Sequence, residues 1–191
     1  MKVALKHLKK ILIHKWWVFY YACKLGIIWK GITHDLSKFS WVEFSESIKY
    51  YQGDKSPIPI AKKEQGYSKA WQHHKGRNPH HYEYWVDWDS NDQLYIIPMP
   101  YDYVMEMLAD WLGAFRAYNG YINYNEELNW WKKKEPNAYI HPITKQLITM
   151  ILDRLAKNEY SESSVYMLGL INSDKYWRKW YYNQIQNHQK K

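Results

Sequence analysis

Apolar residues recur at helical spacing from the start of the chain: Val3, Leu5, Leu8 and Leu12, then Trp16, Phe19 and Tyr20, with Gly26 as a stop. This predicts a helix over 3–25 with His14 inside it. Ser40-Trp41-Val42-Glu43 reads as a capping box, in which hydroxyl and carboxylate satisfy free backbone amides, so a helix is expected from Trp41 to about Tyr51. His34-Asp35 falls just before that start. Gly53, Pro57 and Pro59 predict a loop over 52–60, a flap above whatever lies beneath. Ala61 to His74 is expected to be helical through Gly66 and to be broken by Gly76-Arg77-Asn78-Pro79, with His80-His81 opening a further helix. Pro98-Met99-Pro100 precedes the strongest periodic run, Tyr101 to Tyr118, closed by Asn119-Gly120. Helices are also expected over 125–134, 142–158 and 173–189, with Pro142 and Ser173 as start signals. No strand alternation and no repeat stand out, so the fold class is all-α.

The length of 191 residues suits one domain. A hydrophobic share of 46% beside 24% charged residues describes a globular chain rather than a disordered one. Twelve Trp and nineteen Tyr exceed what one core needs, so some are expected to line a cavity or groove where flat substrates stack. The net charge of +8 favours an anionic partner: a nucleotide, a nucleic acid or a phosphate ester. Apart from Lys132-Lys133-Lys134 and Lys190-Lys191 the lysines are scattered, which disfavours a nucleic-acid stripe. The single Cys23 excludes an internal disulfide and fits a reducing cytoplasm. His14 and Lys15 interrupt the apolar run at Ile11-Leu12-Ile13 before it reaches the length of a signal or a membrane span, so no membrane is expected. Oligomeric state is left open.

The chemistry-bearing residues are unevenly placed. Four of nine histidines fall within 73–81, as His73, His74, His80 and His81. Imidazole and carboxylate together suit Fe, Mn, Co, Ni or Zn, and the lack of clustered cysteine speaks against a structural zinc finger. Asp102, Glu106 and Asp110 share one helix face. Asp102 reads as solvated, but Met107, Leu108, Trp111 and Ala114 surround Asp110, and a buried carboxylate requires a cation or hydrogen bonds. Taken singly, His14 reads as a polar neighbour of Trp17 and His34-Asp35 as a capping pair. Adjacent His73 and His74 cannot share a helix face, so one of them is expected at a site and the other at its periphery.

As an ordered set, His14, His34-Asp35 and Asp110 resemble the HD-domain superfamily of metal-dependent phosphohydrolases, whose pattern is H…HD…D on a helical bundle. The resemblance covers about 7–120 and leaves 121–191 as a helical extension. It implies that His14, His34, Asp35 and Asp110 hold one divalent transition metal. It further implies that Asp35 bridges to a second metal held by His74 and by His80 or His81, as in binuclear members. His74 to Tyr84 and Met99 to Gly120 are also similar to an uncharacterised family of Gram-positive bacteria and their phages, which names no substrate. The implied reaction is hydrolysis, by a metal-activated water, of a nucleotide, cyclic nucleotide or other phosphate ester, with a base-bearing substrate favoured by the Tyr and Trp content. Asp35, Lys38 and Arg77 are the expected catalytic residues. Lys38, Arg77 and Asn78 are expected to bind substrate, and Glu106 to support a ligating histidine. The same ligands would serve a diiron oxygenase, and a non-catalytic interaction protein on this scaffold is the rival from another class.

Overall fold

The computed structural model describes residues 2–53, 55–157, 168–169, 171 and 175–189. Ser173, Asn158 and Lys190-Lys191 lie outside them. Helix α1 spans Lys2–Lys24, and its inner face is built from His7, Ile11, His14, Val18, Tyr21 and Ala22. A short α2, Ile28–Thr33, was not expected. It folds back on α1 at Gly31, where a Cβ would lie 2.6 Å from that of Ala22. A 3-10 turn, Leu36–Phe39, then leads into α3, Trp41–Tyr50, whose first turn is capped by the Ser40 hydroxyl accepting from the Glu43 amide at 3.4 Å.

Proline at the first helical position is compatible with a helix start, so α4 begins at Pro57 and runs to Gln65, shortening the expected loop. Gly66, at φ 80°, ends α4 in the left-handed region instead of lying inside one long helix, and α5 occupies Lys69–Lys75. His80-His81 opens no α-helix. A 3-10 turn, Tyr82–Trp85, runs into a two-stranded antiparallel hairpin, β1 (Val86–Trp88) and β2 (Leu94–Ile96), with Val86 opposite Ile96. The hairpin is too short for alternation to register against the helical background. Apart from it the described residues form an all-α fold.

Helix α6, Tyr101–Asn119, packs along α1. A Cβ on Gly113 would lie 2.6 Å from Val18 Cγ2 and 2.8 Å from its backbone nitrogen, so only glycine permits this crossing. Gly113 stands one turn beyond Asp110 and Val18 one turn beyond His14, which places the tightest point of the helix pair beside these two residues. Helices α7 (Tyr124–Lys134) and α8 (Pro142–Lys157) pack on each other, and the C-terminal helix, Lys175–Gln189, packs on α8. A core of Leu147, Ile148, Ile151, Leu152 and Leu155 joins the apolar face of α6. Among the described residues no helix is long and apolar enough to cross a membrane.

Candidate metal centre

Six elements deliver side chains to one buried point. His14 comes from the inner face of α1, His34 from the end of α2, and His74 from the last turn of α5. His80 and His81 come from the connection after α5, and Asp110 from the middle of α6. Asp35 sits at the head of the first 3-10 turn in the left-handed conformation, φ 56° and ψ 27°, which aspartate tolerates better than most residues. Lys15 fixes the approach, its ammonium donating to the carbonyls of Ile32 and His34 at 2.7 Å each. The Trp85 indole donates to the Pro79 carbonyl at 2.6 Å and pins the loop that carries His80.

Among the described residues three groups of donor atoms come together, a small one of His34, His80 and Glu106 and two larger, overlapping ones. His14, His34, Asp35 and Asp110 are one set and Asp35, His74, His80 and His81 the other, the atoms of each lying within 4.8 Å of one another. Asp35 is common to both. Its Oδ2 is 3.5 Å from His14 Nε2 and 3.1 Å from His34 Nε2, while its Oδ1 is 3.2 Å from His74 Nε2 and 3.4 Å from His80 Nε2. Despite this proximity both Asp35 oxygens and the Nε2 atoms of His14, His80 and His81 are buried without an aligned hydrogen bond. Buried polar atoms normally find partners. Lone pairs converging on a shared point rather than on each other fit the geometry of metal ligands, and mixed imidazole and carboxylate donors suit a divalent transition metal.

A second layer holds the first. Glu106 receives the Nδ1 side of both His34 (3.2 Å) and His80 (3.3 Å), and is itself paired with Lys30 at 3.1 Å. Lys30 lies over the Tyr103 ring, 3.3 Å from its centroid. Glu43 contacts His74 Nδ1 at 2.8 Å and His73 Nδ1 at 2.7 Å. The expected capping-box carboxylate therefore serves the histidines of α5, and His73 lies at the periphery. Asn78 donates to the Ser37 hydroxyl and to the His74 carbonyl, both at 2.8 Å, and so orients His74. Lys38 Nζ contacts Asp35 Oδ2 at 2.5 Å.

Burial alone would raise the Asp35 carboxyl, but the charges of His34, Lys38 and His74 hold it well below the usual carboxylate range. Burial likewise opposes ionisation of Asp110, which the close imidazoles of His14 and His34 keep well below that range, and of Glu106, drawn down to about 2 by His34 and His80. On His34 burial disfavours the cation, yet Asp35, Asp110 and Glu106 raise it well above the ordinary histidine value. Burial and then neighbouring His80 depress His81. The carboxylates thus create a strong demand for positive charge at the point where the ligand atoms meet.

A cavity of about 220 Å³ opens beside the cluster, with His14, His74, His81, Asp110, Glu43 and Lys38 in its wall. Ser56, Pro57 and Ile58 close one side, so the 52–60 segment does lie over a site, although from Pro57 onward it is helical. Trp71 and Tyr118 are the Trp and Tyr residues in the wall, and most of the aromatic surplus lies elsewhere. Neither Arg77 nor Asn78 takes the expected place against substrate: Arg77 is exposed on the turn after α5, Asn78 is buried against Ser37 and His74, and neither lines the cavity. Asp102 is solvated and pairs with Arg178. Sequence reasoning missed Glu43 as a histidine partner, hidden by its capping-box spacing, and His7, which lines the cavity two turns before His14 on the same helix face.

The chain belongs to the family of unknown function DUF5662, whose model matches residues 3–154. That span contains every side chain of the two donor sets. No curated protein and no solved structure matches the chain.

Proposed function

We propose that this DUF5662 protein is a metal-dependent phosphohydrolase acting on a phosphate ester. The observation that carries the reading is the sharing of Asp35 between two buried donor sets, with both Asp35 oxygens and the Nε2 atoms of His14, His80 and His81 close to one another yet without a hydrogen bond. His14, His34, Asp35 and Asp110 would hold one divalent ion, and Asp35, His74, His80 and His81 a second. When bound, such ions supply Lewis acidity, lowering the pKa of coordinated water and neutralising charge on a phosphoryl oxygen. Asp35 positions both sets at once, Glu106 keeps the Nε2 atoms of His34 and His80 aimed inward, and Glu43 with Asn78 does the same for His74. Lys38 lines the cavity and its side chain is 28% exposed, so the ammonium can leave Asp35 and turn toward a substrate phosphate. The net charge of +8 suits an anionic substrate.

The test has two steps. Protein purified without chelator is expected to contain one or two transition-metal ions per chain, lost together with several degrees of melting temperature on chelation. The Mn-loaded form is then expected to release phosphate from esters under anaerobic conditions, and Lys38→Ala to slow turnover with metal content unchanged. Anaerobic inactivity combined with oxygen consumption by the iron form would replace hydrolase by oxygenase.

A further inference from the structure

The cavity is a short channel with chemically different ends. α1 lines it from His14 through Ile11 and Lys10 to His7, and α6, packed alongside, from Asp110 through Ala114 to Tyr118. Each series runs about two helical turns, so the far end lies roughly 10 Å along the helices from the metal centre, at 1.5 Å per residue. Between the two ends the helices contribute the apolar side chains of Ile11 and Ala114. The acidic residues of the wall, Glu43 and Asp110, belong to the near end; the far end carries His7, the Lys10 ammonium and Tyr118.

His7 is the unexplained member. It is only 6% exposed, its ring is held between Phe44 and Tyr51 at centroid separations of 5.7 and 4.9 Å, and its Nδ1 is buried with no hydrogen-bond partner. Burial, followed by the charge of Lys38, depresses its pKa to about 4, so near neutrality it is an uncharged imidazole able to donate one hydrogen bond. Lys10 is anchored close by, donating to the Ala117 carbonyl at 3.0 Å with its ammonium 5.0 Å from the centre of the Tyr118 ring. An ammonium uses one of its three donors in that bond, and a phenol adds another.

We propose that the far end of this channel is a subsite for a carboxylate, and that the substrate is a small bifunctional anion: a phosphate ester of a two- or three-carbon hydroxy acid. His7, Lys10 and Tyr118 bind the carboxylate while the phosphoryl group lies at the metal centre beside Lys38. The length follows from the channel. Of roughly 10 Å, about 2 Å goes to a metal–oxygen bond and about 3 Å to a hydrogen bond. About 5 Å is left between the bound phosphoryl oxygen and the carboxylate, a span of a few bonds. A nucleoside does not fit within that span. This inference rests on the phosphohydrolase reading and narrows its substrate.

Calorimetric titration of the intact, metal-loaded protein tests it, with ethyl, carboxymethyl, carboxyethyl and carboxypentyl phosphate and adenosine monophosphate as probes. Carboxymethyl or carboxyethyl phosphate is expected to bind at least tenfold more tightly than ethyl phosphate, and carboxypentyl phosphate and the nucleotide more weakly than the best of the short pair. His7→Leu is expected to erase the advantage of the carboxylate over ethyl phosphate, and Tyr118→Phe to reduce it should the His7 variant fail to fold. Equal binding of ethyl and carboxyethyl phosphate, tightest binding of the nucleotide, or a carboxylate advantage that survives in folded His7→Leu each overturns the proposal. Metal content and inorganic phosphate binding, measured first, report separately on the metal reading: a metal-loaded protein that binds phosphate but ignores the carboxylate loses the subsite alone. Failure to bind any phosphate removes both.

Discussion

Two buried polar regions of this molecule follow opposite rules. Where α8 meets the C-terminal helix, Tyr181 Oη bonds Thr144 Oγ1 at 2.6 Å and donates to the Met99 carbonyl at 2.7 Å, and nearby the Trp131 indole donates to Thr149 Oγ1 at 2.8 Å. These polar atoms pair off neutrally, and the network joins α8, the C-terminal helix and the segment leading into α6. Between α1 and α6, histidines and carboxylates are also buried and crowded together, yet both Asp35 oxygens and four histidine nitrogens, two of them on His14, have no aligned partner. A folded chain normally removes such atoms from its interior because each costs about 1–3 kcal/mol. Their concentration at one point is what separates a site from a structural polar cluster.

Substitutions in the two regions should therefore fail in different ways. The largest effect is expected from Asp35→Ala, which removes the one carboxylate common to both donor sets. Metal analysis should find little or no bound ion, while Asp35→Asn, which tolerates the same left-handed backbone, should lose metal with less damage to the fold. Next is Glu106→Gln, which leaves both four-residue donor sets in place but loosens two imidazoles; metal affinity measured by chelator competition should fall about 10–100-fold. Gly113→Ala acts on geometry alone. Its methyl group collides with Val18 and drives α1 from α6, which should cost about 1–3 kcal/mol in chemical denaturation and weaken metal binding as well. In the other region Tyr181→Phe should cost about 1–3 kcal/mol by orphaning partners while leaving metal content untouched, and a parallel fall in bound metal would erase the distinction drawn here.

The smallest expected effect is a slope. Glu127, buried on α7, is pushed up to about 8, first by burial and then by the charges of Asp110 and Glu126. Folded protein therefore keeps this carboxyl protonated where the unfolded chain, near 4.5, has released it. Its favourable contribution is complete below the unfolded value and is lost as pH climbs from there through about 8. Melting temperatures of chelated protein across that window should decline more steeply for wild type than for Glu127→Gln, and identical slopes would show that Glu127 is already ionised in the fold.

Much of this arrangement is legible in the sequence because its helices are long and periodic. Helices α1, α3, α6, α7 and α8 begin and end within a residue or two of where the repeats and caps at Ser40, Pro142 and Gly120 place them. The residues of the H…HD…D pattern, together with His74, His80 and His81, do meet in space. Local signals misled elsewhere. Gly66 was tolerable inside a helix by propensity, but it ends one with positive φ, and the brief β1–β2 hairpin was masked by aromatic residues that suit either state. Arg77 is close to His74 along the chain, yet the turn after α5 buries Asn78 and leaves the arginine in solvent. Glu43 satisfied a capping pattern so well that its contacts with His73 and His74, on an element thirty residues later, had no signature of their own.

The spread of the donor residues along the chain also bears on how this protein is assembled. His14 and Asp110 lie on helices far apart in sequence, and the intervening α2, α5 and His80-His81 loop must all be in place before the two donor sets are complete. Closing so long a loop is an entropic cost met late, when α6 has docked on α1 through the Gly113 crossing. An ion that requires the finished constellation cannot guide early collapse. Bound metal should then act chiefly on the lifetime of the native state, slowing unfolding while leaving the refolding rate nearly unchanged.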